Sequence, residues 1–168
     1  MNFPVDEMGK LVIDQFSDGE RLGHIEPPEG VSILWFATDP NASSPRIAAI
    51  TARAGSPTPA LCALDDAGKV LREEPLTDAT WSAQMERIVF ADVTGDGKNE
   101  WLIPTAEGVV WVFSPKGEPL DRFAVGEELS GLCVANWNGE RYLILTGPGG
   151  ITAWKIGEKS PENKGLFE

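Results

Sequence analysis

The residues best equipped for chemistry lie in one stretch, DVTGDGKNE, residues 92–100. Oxygen-bearing side chains stand at alternate positions, Asp92, Thr94 and Asp96, and Glu100 closes the run. Gly95 and Gly97 let the chain fold sharply about a centre, because glycine reaches backbone conformations that other residues avoid. A hard cation such as Ca2+ takes six to eight oxygens at about 2.3–2.6 Å. Three carboxylates, the Thr94 hydroxyl and the backbone carbonyl of Lys98 supply most of that number, with water for the rest. Three carboxylates drawn together without a cation repel one another. The spacing therefore predicts a single Ca2+ site built from Asp92, Thr94, Asp96, Lys98 and Glu100.

Other chemistry is poorly supplied. His24 is the only histidine, and it sits in GERLGHIEP with Glu26 close by, where it reads as a residue of an outer strand. Cys62 and Cys133 lie inside apolar strings without a CxxC partner, so they read as small hydrophobes and not as zinc ligands. The acidic pairs Asp65–Asp66, Glu73–Glu74 and Glu127–Glu128 fall in turns or at strand ends, as a solvated rim would place them. No glycine-rich loop precedes a helix that could hold a phosphate. No catalytic residue is predicted.

The elements that must position the acidic loop come from an internal repeat. Gly19, Gly68 and Gly117 recur at an interval of 49 residues, each with a leucine three positions on, Leu22, Leu71 and Leu120. The strings SDGERL, DAGKVL and PKGEPL read as one hairpin written three times, each after an apolar segment (11–16, 60–64, 109–113). Further on in each unit comes an apolar strand, 31–37, 87–93 and 131–137, then another, 46–52, 100–106 and 141–147. With strands lettered A to D, the chain reads C-D, A-B-C-D, A-B-C-D, A-B-C, the last C strand being 151–156. A further D strand is expected within 157–168. The A and B strands are apolar enough for burial on both faces, whereas D alternates as a strand with a wet face does.

This is the grading of propeller blades: all-β, four-stranded antiparallel units, three to four in number. The whole chain, 1–168, is expected to form one β-propeller-type repeat domain with strand units near 9–30, 31–77, 86–126 and 129–168. Trp35, Trp101, Trp111, Trp137 and Trp154 fall within strands and are expected to pack between blades. A ring of three blades is too tight to close. Either the tail, 157–168, completes a fourth blade, or the chain is part of a larger ring that a missing stretch of polypeptide, a larger parent chain or a second copy of this one finishes, a homodimer also removing two sheet edges. Residues 77–87 can form a turn of helix. The usual geometry of propellers implies a binding face built from 54–59, the 77–86 insertion with Trp81, 105–108 and 147–150, the alternative for Trp81 being a plug between blades.

The first seven positions of the acidic loop match an EF-hand, with Gly97 sixth, but the twelfth is Ile103 and the flanks are strands. The A strand, D-x-T-G-D-G-x-x-E and apolar B strand instead resemble the FG-GAP/VCBS repeat of calcium-binding β-propellers. That resemblance implies Ca2+ on Asp92, Asp96, Glu100 and the Lys98 carbonyl, with Thr94 a departure where the family carries Asn or Asp. It covers one blade, since 37–46 and 135–141 lack the alternating acids. ALCALDDAGKVLRE, 60–73, is similar to the repeat of PQQ-type propellers but lacks the docking tryptophan.

Composition narrows the function. The chain has 168 residues and a net charge of −12, which disfavours nucleic acid and anionic membranes as partners. No apolar run approaches a membrane span, and the first residues lack the pattern of a secretory signal. The resemblance nevertheless implies an extracytoplasmic setting. The sequence thus points to a non-catalytic calcium-binding β-propeller scaffold for protein or glycan recognition. The alternative is a propeller-fold lyase or hydrolase, or a subunit or fragment of one.

Overall fold

The computed structural model describes residues 13–17, 20–25, 27, 29–39, 47–56, 58–65, 68–77, 88–105 and 107–157. The side chains of the strands within 13–25 are not part of that description, nor are Trp81, the rest of 78–87 and the expected strand within 158–168. The chain gathers into two compact units, Met1–Thr77 and Asp78–Glu168. All regular structure described is antiparallel β.

The first unit holds a hairpin, β1 (Ile13–Ser17) with β2 (Glu20–Ile25), and a four-stranded sheet. That sheet runs β3 (Val31–Thr38), β4 (Ile47–Arg53), β5 (Ala60–Leu64) and β6 (Val70–Pro75) in chain order. The second unit repeats the up-and-down meander with β7 (Val89–Ala91), β8 (Glu100–Pro104), β9 (Val109–Phe113) and β10 (Pro119–Ala124). A three-stranded sheet follows, β11 (Gly131–Trp137), β12 (Glu140–Gly147) and β13 (Gly150–Lys155). Sheets of two, four, four and three strands are the C-D, A-B-C-D, A-B-C-D, A-B-C order of the repeat, and the four-stranded meander is the form of a propeller blade.

The repeat holds at the level of single hydrogen bonds. In the β5–β6 turn the Gly68 amide donates to the Asp65 carbonyl, and the Lys69 carbonyl accepts from the Asp65 amide. In the β9–β10 turn Gly117 and Glu118 repeat both bonds with Ser114. Asp65 Oδ1 accepts from the Lys69 amide at 2.8 Å, and Ser114 Oγ from the Glu118 amide at 3.1 Å. Gly68 and Gly117 sit at φ 79° and 77°, the left-handed region in which a Cβ is strained. Different side-chain oxygens thus brace one turn.

Burial departs from the expectation in a consistent direction. β4, β5 and β8 are buried at nearly every position, while the first strands β3, β7 and β11, and the last second strand β12, are only half covered. The first strands lie at sheet edges and the second strands have a neighbour on each side. The central first strand is also shorter than 87–93, since only 89–91 pair. Trp101 is buried and Trp154 packs on the core, but Trp137 ends its strand 68% exposed, its ring 6.2 Å from that of Tyr142 in its own sheet. Cys133 is exposed and Cys62 buried, both free, so the apolar reading holds for Cys62 alone.

The core of the second unit joins its two sheets. Leu102, Val110 and Val112 from one meet Leu143 and Leu145 from the other, with Val93, Leu129 and Ile156 closing the cluster. The rings of Phe123 and Trp154 meet across the two sheets, tilted at 43° with centroids 5.4 Å apart. Each such side chain removed from water contributes about 1.5–3 kcal/mol. The first unit has its own cluster, Ile33, Ile47, Ala49, Cys62 and Leu64. No helix among the described residues is long and apolar enough to cross a membrane.

Candidate functional site: the acidic loop between β7 and β8

The 92–99 loop leaves β7 and returns as β8, whose first residue is Glu100. Asp92 forms the loop's inner wall: one carboxylate oxygen accepts from the Gly95 amide at 2.6 Å and the other from the Gly97 amide at 3.1 Å. Gly95 and Gly97 reach those bonds at φ 87° and 81°. The sharp fold about a centre is present, and its centre is the Asp92 carboxylate.

Glu100 lies at the base of the loop with 2% of its surface exposed. By the period of two along a strand it shares the face of Leu102, the face that meets the second sheet. Its Oε2 accepts from the Val93 amide at 2.9 Å and the Thr94 amide at 3.0 Å. Burial pushes the Glu100 carboxyl above the usual glutamate range. The two amides pull the other way, and the charges of Asp96 and Asp92 add to the rise.

The remaining predicted ligands belong to the exposed part of the loop. Asp96 is exposed and accepts from the Lys98 amide at 2.9 Å, with the Lys98 ammonium at 3.3 Å. The Lys98 amide is the first cause that holds Asp96 below the usual carboxylate range. Thr94 and Lys98 are exposed. The structure therefore brings Asp92 and Glu100 to the inside of the loop and leaves Asp96 exposed. Among the described residues, no three acidic, histidine or cysteine side chains are gathered as metal ligands.

One functional residue lay beyond the sequence argument. Arg141, at the start of β12, reaches over from the neighbouring sheet. Its Nη1 lies 3.1 Å from Asp92 Oδ1 and donates to the Asp92 carbonyl in a very short contact. Its Nη2 stands 2.8 Å from the place a Cβ on Gly95 would occupy. The signal available was numerical, because Arg141 follows Asp92 by one repeat interval. As arranged, the Arg141 guanidinium lies on the Asp92 carboxylate and Asp96 pairs with Lys98, so both acids already have cationic partners from the chain itself.

At the opposite ends of the same sheets, the predicted 105–108 and 147–150 connections pack on the 126–130 turn. A Cβ on Gly108 would meet the Glu127 carbonyl at 1.9 Å, and one on Gly147 the Glu128 carbonyl at 2.5 Å. Glu127 Oε2 accepts from the Gly149 amide at 3.2 Å. This acid too is engaged by a backbone amide. Of the paired acids read as solvated rim, Glu73 binds Arg53 through both oxygens and Glu74 pairs with Arg72.

No family model matches the chain, and no curated protein matches it. Among solved structures it is similar to BBS1N, in a crystal structure of BBS1N in complex with ARL6DN, soaked with lead. The two are 15% identical with a TM-score of 0.47, over 92% of this chain and 59% of that one. The chain thus spans less than two thirds of the length of that neighbour.

Proposed function

We propose that the chain is a non-catalytic scaffold of β-propeller-type blades, its 168 residues acting as one repeat domain that recognises a protein partner. One observation supports the reading. The acids best placed for chemistry, Asp92, Glu100 and Glu127, are each engaged by the backbone amides of a loop. A carboxylate that braces a loop is a poor acid, base or nucleophile, because giving up its amides costs loop structure. Meander sheets with buried inner strands then offer rigid support for connections that vary from blade to blade. A glycan in place of a protein, and a lyase or hydrolase in place of a scaffold, are the outcomes to be tested. Turnover assayed against glycans and esters, with and without chelator, is expected to stay at background. Turnover lost in Asp92→Asn or Glu100→Gln proteins that remain folded would overturn the scaffold.

Calcium binding is a second proposal, carried by the alternation of Asp92, Thr94 and Asp96 with Glu100 behind it and by the left-handed glycines of the loop. It requires Arg141 to withdraw from Asp92 and Lys98 from Asp96. Isothermal titration of wild type and Asp96→Ala with Ca2+ tests it: heat in the first and not in the second supports the site, and no heat in either removes it. An extracytoplasmic setting goes with this same family reading, whereas a second copy or a larger parent chain completing the ring goes with the blade count. A solution mass by light scattering tests the second copy.

A further inference from the structure

The structure assigns to Arg141 the place that a metal ion would take: its guanidinium is the cation of the 92–100 loop, and the loop is latched to the neighbouring sheet without a metal. This inference does not depend on which partner the scaffold recognises, and it runs against the calcium proposal.

Three observations converge. The Arg141 guanidinium donates to the backbone carbonyl of Asp92 and lies on its carboxylate, so one cation answers both a carbonyl and an acid oxygen, the two kinds of oxygen a hard metal would bind. The planar fork of arginine suits such a pair, and its charge is permanent. The space beside it is cut to the guanidinium, since a Cβ on Gly95 would stand 2.8 Å from Nη2. Arg141 is itself held in register. Its carbonyl accepts from the Ile156 amide, Ile156 belongs to the core, and the Asn136–Arg141 pair flanks the β11–β12 turn. The arginine therefore projects from a fixed strand.

Asp92 is thereby satisfied on every side, by two loop amides and one guanidinium. Each of the three acids has its own partner: Arg141 lies on Asp92, Lys98 pairs with Asp96, and the Val93 and Thr94 amides donate to Glu100. Coupling then runs from the acidic loop through Arg141 into β12 and the shared core. This makes the loop a joint between the two sheets of the second unit.

Amide hydrogen exchange and thermal unfolding, each in EDTA and in millimolar CaCl2, test the latch on wild type, Arg141→Gln and Arg141→Lys. Wild type is expected to melt at the same temperature and protect the Gly95 and Gly97 amides equally in both buffers. In Arg141→Gln those two amides are expected to exchange about tenfold faster or more, as loss of a charge-assisted bond implies, while the amides of β8 and β9 keep their protection. Arg141→Lys, which keeps the charge without the fork, should fall between. Should the glutamine variant fail to fold, the lysine variant and the wild-type buffer comparison decide alone. A wild-type loop loosened by EDTA would overturn the latch and favour calcium. Loop exchange unchanged in both Arg141 variants would overturn it with calcium binding left to its own titration.

Discussion

The first two strands of a sheet are joined in two different ways within the second unit. Between β7 and β8 the connection is the acidic loop, 92–99, tied by carboxylates to its own amides. Between β11 and β12 it is a two-residue turn, Asn138–Gly139, both at positive φ, 52° and 80°, the pairing that matches strand twist. The short turn carries its strands straight into backbone pairing, and the arginine just beyond it serves the neighbouring sheet. The long loop has more backbone donors than a hairpin can pair, and buried or crowded acids pair them instead. One position in a repeat thus became a loop that needs bracing, and its counterpart one that braces.

The largest effect that can break this comparison is expected at Glu100. Glu100→Ala leaves the Val93 and Thr94 amides without their acceptor and should cost about 3 kcal/mol, read by urea unfolding. Retained stability would mean that water reaches those amides and the loop is not braced from below.

The same carboxyl gives a pH signature of defined sign. Its folded pKa is raised above its unfolded value, so the unfolded chain releases the proton first as pH rises. Its proton-linked contribution is fully present below the unfolded value and is lost as pH rises through the folded one. Melting curves of wild type and Glu100→Gln across the acid range should show wild type gaining on the variant as pH falls. The opposite trend would place the Glu100 carboxylate in a polar setting.

The two loop glycines separate strain from crowding. Gly95→Ala meets both a left-handed φ and the Arg141 guanidinium, and should lose about 2 kcal/mol. Gly97→Ala meets only the backbone strain, with no atom near the new methyl, and should lose about 1 kcal/mol. Equal losses in thermal melts would show that Arg141 does not press on the loop. The smallest effect is expected at Asp96, exposed and paired within its own turn. In EDTA, Asp96→Ala should unfold with wild type, and a clear fall in its melting temperature would bring Asp96 inside the loop.

Much of the fold was legible because its signals are local. A tight turn needs a left-handed residue, so Gly68 and Gly117 mark hairpins whatever surrounds them. Strand order follows from the order of apolar segments when every connection is a meander, as it is in each sheet here. The site was legible as a loop and not as an arrangement. Alternation placed Asp92, Thr94 and Asp96 at one turn, but side-chain direction inside a turn depends on what competes for each oxygen. The amides of Gly95 and Gly97 are neighbours in sequence and could have been weighed against a metal. The exposure of Trp137 and Cys133 had no local signal, since an apolar strand reads alike in the middle of a sheet and at its edge.

The sequence by itself determined the repeat interval, the order of the thirteen strands among the described residues and the acidic turn with its two left-handed glycines. Each depends on a few adjacent residues and the geometry of one peptide unit. Only the tertiary structure decided that Glu100 points into the core and that the cation on Asp92 is Arg141. Both depend on how one sheet lies on the next, and that packing brings together groups that stand far apart along the chain.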